Sequence, residues 1–514
     1  MIQRHIVTIQ SGKVRGHERD GIIEYLGIPY AQPPLGKLRF KRSKPALPWE
    51  GVYDAKNYIA EAVQLDGEYI IGNEDCLSVN IQAPKGAKNL PVFVYIHGGG
   101  YATGGSNVPL YNGREFAKKG IVYVSFQYRL NIFGFYDFTT YKNGQEFDSN
   151  CGLSDQILAM QWIRDNIKKF GGDPTRTTIC GESAGGSSVV NLLVAPSAKG
   201  TFQQAIIQSG LVNCISTPQQ ARENIDLFIE GMGWTEEDLL KLKTLESSQL
   251  MKGHQYVSKH SQAKNPGYFL PSPVQDDLLP MRPLEAIQKG SVRGIRIILG
   301  CNAHEGTTFV RPIRTGFPSS WEMVSEMFKN NDLLQELPNI VHYYSPSAEV
   351  KWHDNKSLLE VVDNSDITEK INNPFTQLVT DYVFQMPTLK LAETFKDNSN
   401  EVWLYRYDLI TASGKQNGMG ASHAYDLPAM FANQDFEFSR YIFEGENEEV
   451  VHSIIENMHG DWVRFIKSGN PNLNWGCYKG YETPLRIYDR ESYFTDKNFS
   501  KLMEVWKDMR FYEG

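Results

Sequence analysis

Gly181-Glu182-Ser183-Ala184-Gly185 sets one serine between glycines two residues before it and two after it. The apolar run ending Thr178-Ile179-Cys180 leads in, and Ser187–Val194, a helix-compatible stretch, leads out. Strand, tight turn, helix is the context in which a serine can act as a nucleophile. The flanking glycines remove Cβ atoms that would strike strand and helix, so the serine can hold a strained backbone and project its Oγ. The helix beginning there turns N–H groups toward a developing oxyanion. A five-residue Gly/Ser turn is the bland alternative, and the flanking elements argue against it. His97-Gly98-Gly99-Gly100-Tyr101 directly follows a strand, Val92–Ile96. A glycine run there lets backbone N–H donors approach a substrate oxygen, whereas a merely flexible loop would need no such composition. His97 reads as a ring that buttresses this loop and not as a base.

A serine nucleophile needs an imidazole base and a carboxylate to orient it. On an open α/β sheet both follow the serine, acid first, on loops at the carboxyl ends of later strands. That order selects among 11 histidines. Glu305 lies just beyond the strand Ile295–Gly300, and His423 lies beyond Glu401–Tyr407 in the loop Gly418–His423. The competitors are weaker. His452 and His459 fall in a predicted helix, His342 and His353 sit in a helical excursion, and His304 adjoins the acid itself. Asp276 and Asp277 precede the strand that an acid should follow, and Asp426 is too close to His423 in sequence to be the first choice.

These residues require a scaffold, and the hydrophobic pattern supplies one. Val92–Ile96, Ile121–Phe126, Thr177–Cys180, Gln204–Gln208, Ile295–Gly300 and Glu401–Tyr407 read as strands, β-branched or aromatic and bounded by turn residues. Leu153, Ile157, Met160, Ile163 and Ile167 recur at helical spacing and predict a crossover helix over Gly152–Phe170, stopped by Gly171-Gly172-Asp173-Pro174. Alternation over Met1–Gly12 predicts a strand. Helices are expected at Glu448–Ser468 and Ser500–Met509. The pattern implies an α/β protein with a large, mostly parallel central sheet and helices on both faces. Ile215–Gly290 and Phe309–Asn398 lack linker composition and read as helical excursions from one domain spanning residues 1–514.

The 514 residues carry a net charge of −8, with 41% apolar and 22% charged residues, which excludes disorder and supplies no basic footprint for nucleic acid or anionic lipid. No apolar run approaches the length that spans a bilayer, and Met1–Gly12 lacks the apolar segment of an export signal. A cytoplasmic protein is therefore expected. The six cysteines, Cys76, Cys151, Cys180, Cys214, Cys301 and Cys477, show no metal-ligand or redox spacing. Free thiols in a reducing compartment, and no metal or cofactor, are the expectation.

In motif and order the chain resembles the type-B carboxylesterase/lipase family, the cholinesterase-like branch of the α/β-hydrolases. Gly27-Ile28-Pro29-Tyr30-Ala31, Pro33-Pro34, Leu38-Arg39-Phe40 and Trp49-Gly51-Val52 look like its N-terminal signature, and Glu74-Asp75-Cys76-Leu77 with Val79-Asn80 like its second. Tyr128-Arg129-Leu130, Gly134-Phe135, Gly152-Leu153, Asp155-Gln156 and Phe170–Pro174 continue it to the serine. The resemblance implies an α/β-hydrolase fold with a gorge walled by the excursions, and a triad of Ser183, Glu305 and His423. It also implies an oxyanion hole from the N–H groups of Gly99, Gly100 and Ala184, with Ser209 one layer behind the triad and Glu182 beside the nucleophile. The implied reaction is carboxylic ester hydrolysis through an acyl-enzyme, with a small ester and water as the only partners and a monomer or small homo-oligomer as the working form. An amidase or thioesterase with the same machinery, or a non-catalytic binding protein of cholinesterase-like fold, are the alternatives.

Departures from the family's pattern sharpen this reading. Cys76 has no upstream cysteine to pair with, and Ala60–Asn73 lacks the tryptophan that cholinesterases offer a quaternary ammonium, so choline esters are not expected as preferred substrates. Gln127 replaces the usual asparagine, His304 the usual aspartate and Asp426 the usual glutamate, and Phe511–Gly514 is no retention signal. Gly98-Gly99-Gly100 leaves room beside a carbonyl carbon, as in relatives that tolerate tertiary alcohols, unless Tyr101 narrows it.

Overall fold

The computed structural model describes residues 5–212, 214–264, 271–310, 317–353, 358–363, 370–495 and 499–507. The strand Leu90–Ile96 shows how the layers arise. Val92, Val94 and Ile96 share one core with Leu153, Ile157 and Met160 of the helix Cys151–Asn166 and with Val189 and Leu192 of the helix Ala184–Val194. Phe93 and Tyr95, pointing the other way, share a second core with Met458, Trp462 and Phe465 of the helix Glu448–Ser468. A strand apolar on both faces needs a cover on both faces. Helices supply it, as expected.

The sheet has eleven strands, ordered Tyr493–Thr495, Leu485–Tyr488, Glu401–Tyr407, Arg296–Asn302, Gln204–Gln208, Gly172–Glu182, Leu90–Ile96, Val122–Phe126, Ser78–Pro84, Ile22–Pro29 and His17–Arg19. The six pairings from Leu485–Tyr488 to Val122–Phe126 are parallel. The pairs outside them are antiparallel. Register decides where the loops beyond the strands emerge. Glu182 pairs with Gln208, Gln208 with Gly300, and Asn302 with Tyr407, so the segments carrying Ser183, Ser209 and Glu305 leave the sheet at one carboxyl edge. That edge is where open α/β sheets place their ligands.

Most predicted elements form within a residue or two of their expected bounds. The Thr177–Cys180 strand is longer, Gly172–Glu182, with a register break between Gly172 and Thr177, where Pro174 has no N–H for the ladder. The crossover helix is α-helical only to Asn166 and tightens into a 3-10 turn at Ile167–Phe170 before left-handed Gly171. The N-terminal strand ends at Ile9; the chain turns, and Gly12–Arg15 pairs back on it antiparallel, so the single strand through Gly12 is corrected to a hairpin. Met1–Arg4 lie outside the described residues. The last helix runs Ser500–Trp506, and the predicted extension over 508–509 also lies outside them.

Within 215–290 the chain forms the helices Pro218–Met232 and Ser247–Lys264, the first opened by a capping box of Thr217 and Gln220. Within 309–398 the helices are accompanied by an unexpected antiparallel hairpin, Glu349–His353 with Leu358–Val362. A π-helical stretch, Thr380–Gln385, separates the helices Pro374–Val379 and Met386–Asp397. Pro387 explains the widening, because it has no N–H for the Val383 carbonyl and its ring crowds that oxygen. Among the described residues no helix is long and apolar enough to cross a membrane.

Candidate active site

Ser183 closes the strand Gly172–Glu182 and caps the helix Ala184–Val194 with φ 59° and ψ −126°, a conformation costly for any side chain but glycine. Neighbouring glycines make the turn possible. A Cβ on Gly181 would meet the Gly185 carbonyl carbon at 2.3 Å, and one on Gly185 would meet the Ile96 carbonyl oxygen at 2.1 Å. The serine N–H is tied to the Gln208 carbonyl at 3.0 Å, which pins the turn to the adjacent strand.

The glycine loop closes on this turn. A Cβ on Gly98 would lie 2.6 Å from the Glu182 carbonyl and 3.1 Å from Ser183 Cβ. Gly99 (φ 105°) and Gly100 (φ 63°) hold left-handed backbone, and a Cβ on Gly99 would strike the Thr103 carbonyl at 2.2 Å. The N–H groups of Gly99 and Gly100 have no acceptor among the described residues, and Ala184 opens its helix, where N–H groups are unpaired by construction. His97 buttresses the loop as expected. Its Nδ1 is 2.9 Å from the Gly98 carbonyl, its ring stacks on Tyr128 at 4.4 Å, and burial lowers its pKa to about 4, so it stays neutral. Tyr101 turns away from the serine: fully buried, its hydroxyl oxygen accepts from Ser188 Oγ and Asn191 Nδ2 beneath the helix.

Glu305 and His423, 118 residues apart, meet with Glu305 Oε2 2.5 Å from His423 Nδ1. The other carboxylate oxygen accepts from Ser209 Oγ at 2.5 Å and from the Asn302 N–H at 2.7 Å. Asn302 Nδ2 in turn donates to the Ser422 carbonyl at 2.6 Å, so one side chain ties the acid's strand to the histidine's loop. Among the described residues no hydrogen bond joins Ser183 Oγ to His423. The ring's Nε2 lies instead 3.1 Å from Glu182 Oε1. Resting enzymes often hold such contacts loosely and tighten them around substrate.

This cluster is electrostatically unusual. Burial pushes the His423 pKa down, but the carboxylates of Glu182 and Glu305 outweigh it and raise it. Burial raises Glu182, opposed by His423 and reinforced by Asp426 and Glu305. Glu182 and His423 therefore titrate as a coupled pair. Asp426 is fully buried and also raised, chiefly by burial. It accepts from Gln208 Nε2 at 2.7 Å and Tyr405 OH at 3.2 Å, beneath the histidine loop and not against the imidazole.

The rejected candidates have other occupations. Asp276 and Asp277 pair with Arg42, His459 Nδ1 faces the Met430 carbonyl, and exposed His452 and His353 sit beside Glu456 and Glu360. Three contributors carried no signal in the sequence. The rings of Phe309 and Phe384 flank His423, each 5.0 Å from its centroid, and Thr380 Oγ1 accepts from the Gly306 N–H at 2.9 Å, holding the turn after Glu305. Thr380 and Phe384 both belong to the π-helical stretch, a deviation of the kind that favours functional sites. Among the described residues no group of histidine, cysteine and carboxylate side chains could hold a metal ion.

The strained serine turn at the carboxyl edge of a doubly covered parallel sheet is the frame of the α/β-hydrolases. The chain belongs to the carboxylesterase family, whose description residues 3–505 match. It is 32% identical to the para-nitrobenzyl esterase of Bacillus subtilis (strain 168) over 498 residues, 95% of each chain, and 29% identical to the cholinesterase of Mus musculus over 503 residues, covering 92% of this chain and 80% of that one. A solved structure of a PNB esterase superposes with a TM-score of 0.82 at 31% identity over 98% of this chain and 99% of that one. The protein is a carboxylic ester hydrolase of the serine-hydrolase class, of the type-B carboxylesterase and cholinesterase lineage.

Proposed function

We propose that Ser183, His423 and Glu305 form the catalytic triad of this esterase. The observation that carries the reading is the 2.5 Å contact between Glu305 and His423, assembled across 118 residues beside a serine on a left-handed turn. His423 takes the Ser183 proton as Oγ attacks the acyl carbon, its ring turning from Glu182 to the next residue. Gly99, Gly100 and Ala184 N–H groups receive the oxyanion. His423 then protonates the departing alcohol, and water attacks the acyl-enzyme by the reverse proton path. Glu305 fixes the ring and stabilises its cation, with Ser209 holding the carboxylate.

The proposed substrates are small, uncharged esters, with bulky alcohols accepted. Support comes from the three glycines of the oxyanion loop, from Tyr101 being packed away under the helix, and from the similarity to a para-nitrobenzyl esterase. The excursions Ile215–Gly290 and Phe309–Asn398 are read as parts of one domain, and the second as a wall of the gorge, since its Thr380 and Phe384 reach the site. A reducing, cytoplasmic setting accords with six free cysteines, five of them buried. The test is hydrolysis of a primary and a tert-butyl ester of the same acid by the wild type and by Ser183→Ala. Serine-dependent turnover of both is expected. Brisk primary-ester hydrolysis without tertiary release would refute the alcohol assignment, and full activity in Ser183→Ala would refute the nucleophile.

A further inference from the structure

Beside the Glu305 and His423 loops lies an open cleft of about 850 Å³, lined among the described residues by His304, Lys370, Lys415, Asn417, Gly418 and Arg490 together with four neighbours, none of these ten an Asp or Glu. Its volume falls within the span of roughly 300–1,000 Å³ common to small-ligand sites. Three segments distant in sequence each bring one cation to it. Lys370 donates to the Asn417 carbonyl at 3.2 Å, and its stem covers Gly418, where a Cβ would lie 3.3 Å from its Cδ. Lys415 sits exposed on the helix Ala412–Gln416. Neither ammonium has a carboxylate partner among the described residues. Arg490 is gripped from behind by Glu446, whose side chain is 4% exposed while that of the arginine is 51% exposed. Glu446 is itself pinned by the N–H groups of Ala412 and Asn447, so it orients the arginine and does not enter the cleft.

A concentration of positive charge in a chain of net charge −8 needs a physical account. A monovalent anion gains little from any one exposed ammonium. A ligand bearing several oxyanions gains from both unpaired ammonium groups, and from the outward N–H groups of the already paired Arg490, while losing its translational freedom only once. The exposed Gln416 amide adds a neutral donor of the right kind. Neither Ser183 nor His423 lines the cleft, so its occupant is not the ester undergoing hydrolysis. We propose that this cleft binds a small polyanion carrying two or more carboxylate or phosphate groups. The site stands apart from the esterase chemistry, although its floor is continuous with the catalytic loops: His304 precedes Glu305, and its Nδ1 accepts from the Ala421 N–H at 3.2 Å, two residues before His423.

The experiment is isothermal titration of the full chain at low ionic strength, with citrate in one arm and inorganic pyrophosphate in the other. The tighter arm tells whether carboxylate or phosphate is the preferred oxyanion. Saturable one-to-one binding of at least one is expected, weakening with added salt. Lys370→Glu with Lys415→Glu, both at exposed positions, should weaken it about tenfold or more, whereas Lys370→Arg with Lys415→Arg should retain it. Absence of saturable binding in both arms, or equal affinity in the Glu double variant, would overturn the proposal.

Discussion

The serine side and the histidine side of this site are built by different means. Ser183, Ala184 and the Gly98–Gly100 loop are placed by short contiguous segments on adjacent parallel strands, Gly181 pairing with Ile96 and Glu182 with Gln208. Backbone sterics set them, through glycines whose Cβ atoms would collide with carbonyls, and the Ser183 N–H bond to Gln208 and the His97 ring hold them. The histidine side is an assembly. His423 has its place because Asn302, Glu305 and Phe309 converge on it or its loop from one stretch of chain and Phe384 from another. One side is set by covalent neighbourhood, the other by packing. Disturbance should therefore act locally on the first and be spread and graded on the second.

The largest effect is expected where the two sides exchange a proton. His423→Ala should lower kcat by about four or more orders of magnitude with the fold retained, and Glu305→Ala somewhat less, because the imidazole would survive without its orienting partner. Steady-state kinetics beside circular dichroism checks this. A folded His423→Ala protein with near-normal turnover would remove the base from the account.

Next comes pH. The base must be neutral to accept the serine proton, and the two carboxylates hold its proton, raising its pKa from 6.5 to about 9. The rate should thus rise with pH through a midpoint above that of a free imidazole. Glu182→Gln takes away one of the carboxylates and should move that midpoint down by about one pH unit. A kcat/KM profile that does not move would show that Glu182 has no electrostatic hold on the base.

The smallest change is expected one layer out. Ser209→Ala leaves the Glu305 oxygen with the Asn302 N–H as its remaining donor, and should cost about tenfold in kcat with KM little altered. A rise in KM with unchanged kcat would instead assign Ser209 to substrate binding.

The same contrast explains what could be read from the chain. The elbow and oxyanion loop were legible because their chemistry needs glycines at fixed offsets from one serine. Glu305 and His423 were legible through an ordering rule, the first lying just past a recognisable strand and the second in a loop further beyond the next one. Phe309, Phe384 and Thr380 were not, since a phenylalanine or threonine in a helical stretch is ordinary core composition, and nothing local says which ring will meet an imidazole on a distant loop. The hairpin Glu349–His353 with Leu358–Val362 escaped because its first strand alternates only between exposed and half-buried positions, leaving a weak apolar signal. The register of Asn302 against Tyr407, which aligns the acid's strand with the histidine's, is a property of the sheet as a whole.

The central claim is that Ser183 is the one hydroxyl activated by His423. The most direct measurement is labelling of the intact enzyme with a phosphonylating inhibitor, then peptide mass spectrometry, in the wild type and in His423→Ala. One adduct per chain, on Ser183, and its near-complete loss in the variant is the predicted result. An adduct on another serine, or undiminished labelling without the imidazole, would contradict it.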